Sequence, residues 1–580
     1  MGFRSARRSA AALFLLMMDC VACAANVSVD IEGVDGELLE NVRANLEMQS
    51  YVGRDASPAQ VRLLYDNAKQ DIRDALQPFG YYHVKIQSGL TQASDGTFHA
   101  IFRIQRGEPV MVREVHVEVQ GPGAEIEEVK AALERFQPKA HQRLQDQLYE
   151  QSKADVNAAL RAAGFMDAEL TRHEVAVTRA ANTARMDVVW QSGERYHFGP
   201  VHFSESQFGE DFLRGYVPWQ GSEDYSQDLL LDLQQRLVDA DYFSVVSVQP
   251  EFGQSKDLEI PVQVLLVPDE RTVYTAGLFM STDSGPGGRL GMDRRWLNRR
   301  GHKAQVGLEY SQRLQEISSN YRIPQPGPFN RNYTIGAAYS DEATDSSHSR
   351  MARIGVAEAR ERWHGFNRTL GLQFLNSDFE IADESRSSSL LYAEAVLARK
   401  IADDALFALK GYSTTLGLRG SPGELLSDTN FLQLRTQGKW IHGFDTRQRV
   451  ILRAELGAMT VGDFDKLPPQ LRFFAGGDRS IRGFDYQQIG ERNASGGVIG
   501  GKYLSLASAE YEYYFLPDWG AAVFVDAGDA FIDEFEPHAG AGFGVRWRSP
   551  VGLVRLDFAD PIAGDLADGW RIHFVIGPDL

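Results

Sequence analysis

The chain has 580 residues, 54 of them glycine, with 11% aromatic residues, two cysteines and a formal net charge of -19. No apolar run of about 18 residues follows the first 25, which excludes a helical membrane protein. The negative charge is spread without blocks, which argues against nucleic acid as a partner, since phosphate binding needs a basic face.

Arg4, Arg7 and Arg8 precede an apolar run from Ala10 to Met18, and Ala22-Cys23-Ala24-Ala25 follows it. This is the layout of a secretory signal over residues 1–25, with cleavage near Ala24 or Ala25. Cys20-Val21-Ala22-Cys23 is a poor lipoprotein site, because the residue three before the cysteine is not leucine. Both cysteines fall in this leader, so an exported mature chain has no disulfide and no thiol chemistry.

Three segments then end a helical pattern in a related way: Ala75 to Tyr82, Ala159 to Phe165 and Arg236 to Phe243. Each leads into an alternating strand and then a second strand with a polar end, Phe102 to Pro109, Val188 to Arg195 and Val264 to Arg271. The copies are too long for solenoid repeats and suit small βααββ domains in a row. The boundaries expected are 26–109, 110–196 and 197–271. In the first copy Ser57-Pro58 opens a helix whose Val61, Leu64, Ala68, Ile72 and Leu76 form one apolar stripe, and Gly80 ends it. Sheets this small leave edges that can accept an extended peptide.

From about Thr272 the period changes to two, with turn-rich gaps, the signal of an outer-membrane barrel over 272–580. In 503–515, Tyr503, Ala507, Ala509, Tyr511, Tyr513 and Phe515 share one face and Ser508, Glu510 and Glu512 the other. The segments around Val525, Val545, Leu556 and Ile572 repeat this division: one face for lipid, the other for a wet lumen. A soluble β-sandwich also alternates, but lacks aromatics at the segment ends and a last strand near the terminus. Sixteen antiparallel strands are counted, an even number suiting a closed barrel; 283–328 is hard to divide.

The longest gap, Val461 to Gly500, lies between the eleventh and twelfth strands and contains LRFFAGGDRSIRGFDY, residues 471–486. Gly476, Gly477 and Gly483 permit tight turns, while Arg479 and Arg482 need anionic partners if they leave water. Asp526 and Glu510, on expected lumen faces, could pair with an inserted arginine bidentately.

The βααββ copies resemble POTRA domains. Ile481-Arg482-Gly483-Phe484 is similar to the (V/I)-R-G-(F/Y) motif of the outer-membrane assembly factor superfamily, and Phe524-Val525-Asp526-Ala527-Gly528 to its F-x-D-x-G motif on the thirteenth strand. Gly569-Trp570-Arg571-Ile572-His573-Phe574 is similar to its terminal β-signal. The resemblance implies that Arg482 is held in the lumen by Asp526 and Glu510, locking the loop. It also implies a weak seam between the first and last strands, where a client strand can join. The seam candidates are Ala276 and Gly277 at one edge and Gly569, Ile572 and Phe574 at the other.

Three POTRA-like copies resemble the translocation and assembly module branch of that superfamily. This implies location in the Gram-negative outer membrane with the POTRA domains in the periplasm. It further implies an inner-membrane-anchored TamB-like partner at the first copy and unfolded autotransporter-type or other outer-membrane clients. Two-partner secretion pores carry two copies and a plug helix, for which no room precedes Val27.

Other chemistries find little support in the residues. Gly496 to Lys502 has phosphate-loop spacing, but Tyr503 replaces the magnesium-binding Ser or Thr and a strand follows. Neither G-x-S-x-G nor H-E-x-x-H occurs, and no cofactor or metal is expected. His573 reads as a lumen residue. An outer-membrane hydrolase or a plain porin would not need three periplasmic domains.

Overall fold

A computed structural model describes residues 26–577, apart from 55, 328–330, 405, 424–425, 551 and 567–568. The expected leader lies outside the described residues. The chain divides into two compact units.

The first two small domains lie in one unit. In the first, strand β1 (Val27–Glu32) is followed by helices α1 (Gly36–Asn45) and α2 (Pro58–Leu76) and strands β2 (Lys85–Gln92) and β3 (Phe98–Gln105). The α2 start is fixed locally: Ser57 Oγ accepts a hydrogen bond from the Gln60 N–H at 3.3 Å, and proline occupies the first turn. Its apolar stripe is buried as its spacing requires, with Val61, Ala68, Ile72 and Leu76 wholly enclosed. The last strand is central: β3 pairs parallel with β1 and antiparallel with β2. The second domain repeats this with β4 (Met111–Gln120), α3 (Glu127–Arg135), α4 (Asp146–Ala162), β5 (Glu169–Thr178) and β6 (Thr183–Gln191), and β6 is central. Trp190 fills its core, its indole N–H donating to Asn157 Oδ1 at 2.8 Å.

The third sheet comprises β7 (His197–Phe203), β8 (Phe243–Pro250) and β9 (Glu259–Pro268), with α5 (Glu210–Arg214) and α6 (Gln227–Asp239) between β7 and β8. Within the larger unit its α6–β8 junction is tied to the start of the barrel. Tyr242 Oη donates to the Gly301 carbonyl at 2.5 Å and Lys303 Nζ to the Ala240 carbonyl at 2.7 Å.

The rest is a closed barrel of sixteen strands in sequence order. They are β10 (Thr272–Ser281), β11 (Gly285–Arg294), β12 (Lys303–Ser311), β13 (Leu314–Gln325), β14 (Arg331–Ala343), β15 (Ser347–Trp363), β16 (Phe366–Ile381) and β17 (Glu384–Ala402). Then come β18 (Lys410–Ser421), β19 (Phe431–Gly443), β20 (Gln448–Val461), β21 (Tyr503–Tyr514), β22 (Trp519–Phe531), β23 (His538–Ser549), β24 (Gly552–Ala563) and β25 (Arg571–Gly577). All neighbours are antiparallel, and from β10 round to β25 the ladders pair the backbone groups without water; the β25–β10 closure is sparser. Along β21 and β22 exposure alternates residue by residue, apolar side chains outward and Glu510, Glu512, Phe524 and Asp526 inward. Trp519 stacks on Trp547 at one end of the wall and Tyr503 on Phe531 at the other, as interfacial girdles require.

The stretch 283–328 holds β11, β12 and β13. Its alternation is obscured because β11 begins Gly-Pro-Gly-Gly, with few side chains to carry a pattern. At the other end the expected edge from Gly569 is corrected. Gly569 has φ +72°, a left-handed turn that precedes the strand, and β25 starts at Arg571.

Candidate functional site

The connection between β20 and β21 folds into the barrel. Leu467, Phe473, Ile481, Phe484 and Ile489 are buried against inward-facing Leu375, Leu390, Tyr392, Phe431 and Met459, so the lumen at this level is apolar and filled, not wet. Arg472 braces the segment from within, donating to the Leu467 carbonyl at 2.7 Å and the Ile499 carbonyl at 3.0 Å. At the tip Gly477 has φ +105°, and a Cβ there would lie 2.6 Å from the Asp283 carboxylate, so both conformation and space demand glycine.

Arg482, 3% exposed, points to the barrel wall. Its Nε and Nη2 donate to the two oxygens of Asp526 at 2.7 and 3.0 Å, and its own backbone N–H adds a third bond to Asp526 at 3.1 Å. Its Nη1 donates to Glu510 at 2.7 Å and to Asp557 at 3.0 Å. The guanidinium carbon stands 3.4 Å above the centre of the Phe524 ring. The structure thus brings Arg482, Glu510, Phe524 and Asp526 together. Ile481 and Phe484 pack in the apolar loop core, and Phe484 meets His538 edge-on at 5.6 Å. Gly483 donates its N–H to His573 Nε2 at 2.9 Å, and Gly528, with φ +156°, closes the β22 motif beside Ser505 and Leu506. Arg479 stays exposed to the lumen, its carbonyl accepting from Arg453 Nη1 at 3.0 Å.

Several participants were not foreseen. Asp557 on β24 holds both Arg482 and Arg546, and Arg546 on β23 also donates to Glu510 at 2.7 Å and Glu512 at 3.0 Å. Arg449 continues the chain to Glu512 at 2.5 Å. Buried charges at this density are tolerable only because each is paired and hydrogen-bonded.

The wall also makes room for the loop. Gly540, Gly542 and Gly544 alternate along β23. A Cβ on Gly540 would collide with the Arg482 carbonyl oxygen, and one on Gly544 with the Asp557 carboxylate. The signal was in the sequence, as glycine at every second position where the other face carries Phe543, Val545 and Trp547.

The barrel closes weakly. Among the described residues β10 and β25 share one ladder pair, Ser281 with Val575, whereas β24 and β25 share seven. Ala276 and Gly277 pair with Leu290 and Arg289 of β11 and have no ladder partner on β25. Ile572 faces outward, more than half exposed, and Phe574 shares three hydrogen bonds with Thr282: its carbonyl accepts from the Thr282 N–H at 3.1 Å and from Oγ1 at 3.5 Å, and its N–H donates to Oγ1 at 2.6 Å.

Three POTRA-like sheets ahead of a sixteen-strand barrel with an inserted loop define an outer-membrane β-barrel protein with a periplasmic arm. The Omp85 superfamily domain matches residues 297–579, and the POTRA domain of TamA domain-1 type matches residues 28–106. The chain belongs to the Omp85 superfamily, with a TamA-type first POTRA domain.

The outer membrane protein assembly factor BamA of Nitratidesulfovibrio vulgaris is 30% identical over 149 residues, 24% of this chain; the match spans 19% of that relative's length. In fold, BamA from Haemophilus ducreyi lacking POTRA domains 1–3 is similar, with a TM-score of 0.67 at 15% identity. It covers 81% of this chain and 99% of its own. CdiB from Escherichia coli aligns with 89% of this chain and 96% of its own, with a TM-score of 0.47 and 13% identity.

Proposed function

We propose that this protein inserts or secretes outer-membrane proteins, autotransporter-type β proteins among them, by letting a client strand add to the barrel at the β10–β25 seam. The single ladder pair at that seam carries the reading. Separating two strands joined so sparsely costs few hydrogen bonds, and each freed edge then offers unpaired N–H and C=O groups that a client strand can satisfy. Tyr274 and Leu278 on β10 are 76% and 93% exposed, so the edge also presents apolar surface to an incoming strand within the membrane.

The loop lock supports the same reading. Arg482, held by Asp526, Glu510 and Asp557, fixes the loop against β21, β22 and β24 while the seam remains weak. Movement is thereby confined to one side of the wall. The TamA-type match over 28–106 supports docking of an inner-membrane-anchored TamB-like protein at the first domain.

The test is a disulfide between Ser281→Cys and Val575→Cys, the two residues paired at the seam. In cells, autotransporter assembly should stop in the oxidised protein and return on reduction. Assembly that continues with the bond closed would overturn strand addition at this seam.

A further inference from the structure

Asp478, at the loop tip, touches both sides of the seam. Its Oδ1 accepts from His573 Nδ1 on β25 at 2.8 Å, and its Oδ2 accepts from the Asp283 backbone N–H, in the β10–β11 turn, at 3.2 Å. The Asp478 N–H returns a bond to Asp283 Oδ2 at 2.8 Å. These contacts lie directly beside the Ser281–Val575 pair.

Two carboxylates and an imidazole with ligand atoms within 4.8 Å of one another could suggest a metal. The histidine argues otherwise. The Gly483 N–H can only donate, so His573 Nε2 must accept and Nδ1 must carry the hydrogen that Asp478 receives. A metal-ligating histidine donates its second nitrogen's hydrogen to a neighbour, and here that hydrogen would face another N–H. The cluster is therefore a hydrogen-bonded joint between loop, first hairpin and last strand.

We propose that Asp478 is the latch of the seam: one loop carboxylate holds the first hairpin and the last strand together, so the seam opens when the loop tip yields. This rests on the seam reading above and adds its control point. Charge-assisted hydrogen bonds are roughly twice as strong as neutral ones, so the latch rivals the sparse ladder it spans. A client contacting the loop tip could thus release the seam without disturbing Arg482, which is anchored on other strands.

The test uses the full protein in nanodiscs with spin labels at 278 and 572, which face outward on either side of the seam. Asp478→Ala should broaden and lengthen the interlabel distance, and Asp478→Asn, whose amide has one accepting oxygen for the two donors, should do so to a smaller extent. Asp485→Asn, which loosens only the Arg571 contact of β25, should leave it unchanged. Trypsin resistance at Arg479 reports whether the loop stays seated. A distance in Asp478→Ala equal to that of the parent would overturn the latch, as would a closed state that requires added Zn²⁺. Addition of an unfolded autotransporter barrel separates the two readings. If it lengthens the distance while the variants do not, the latch fails and the seam stands; if neither does, the seam reading itself fails.

Discussion

Arg482 and Asp526 meet through three hydrogen bonds, two from the guanidinium fork and one from the arginine's own backbone N–H. The backbone bond matters because it fixes the loop's main chain to β22, not only a side-chain tip. Removing the guanidinium would leave Asp526, Glu510 and Asp557 buried with fewer partners, and an uncompensated buried charge typically costs about 3–5 kcal/mol. Arg482→Ala should therefore lower the temperature at which the barrel loses its compact mobility on SDS gels and open the loop to protease. Arg482→Lys should recover little, because an ammonium cannot span two carboxylate oxygens and two further acids at once. Asp526→Asn should have a smaller effect of the same sign, since its carbonyl oxygen still accepts.

The glycine trench allows the loop to be displaced without touching any charge. Gly540→Val should unseat the loop as Arg482→Ala does, because the new Cβ meets the Arg482 carbonyl, a backbone atom that cannot step aside. Gly277→Val is the matched control, with open space where its Cβ would stand. Equal protease sensitivity in the two variants would mean that the close approach at β23 does not hold the loop.

Much of this arrangement is legible in the chain. The strand periods, the three-domain repeat, and the lumen acids Asp526 and Glu510 open to an inserted arginine follow from side-chain type and alternation; that the arginine is Arg482 and not Arg479 is what the resemblance of its motif implies. What alternation cannot supply is strand stagger. Asp557 and Arg546 sit on lumen faces just as Arg555 and Arg571 do, and only the register brings the first two to Glu510 and Arg482. The apolar lumen around Leu375 and Phe431 was hidden for a related reason: a large side chain on an inner face looks like an outer one until a loop covers it.

Stagger also decides which cysteines can test the seam. Antiparallel pairing of Ser281 with Val575 sets Met280 toward Ile576 and leaves Ala276 well below Ile572. A disulfide should form readily between cysteines at 281 and 575 and poorly between cysteines at 276 and 572. Comparable yields from both pairs, read by gel shift under mild oxidation, would contradict the closed register.

A pH dependence is expected outside the membrane, on the second small domain. Its Asp187 on β6 accepts from His116 Nδ1 at 2.9 Å and from Arg172 Nη1 at 2.9 Å. The hydrogen bond to Asp187 raises the His116 imidazole above its ordinary 6.5, and the same bond holds the Asp187 carboxyl below its ordinary 3.8. For the histidine, the folded form binds the proton more tightly, so its contribution is fully present below 6.5 and fades as pH rises through the elevated value. For the aspartate, the contribution is present above 3.8 and fades as pH falls through the depressed value. The pair therefore supports the β4–β6 ladder most between those limits and weakens on the alkaline side first under physiological conditions. His116→Gln should remove that alkaline decline. Amide hydrogen exchange of β6, taken as the difference between parent and variant, should shrink as pH rises from 6 to 8; a difference constant over that range would show that the ion pair is screened by solvent and contributes nothing measurable.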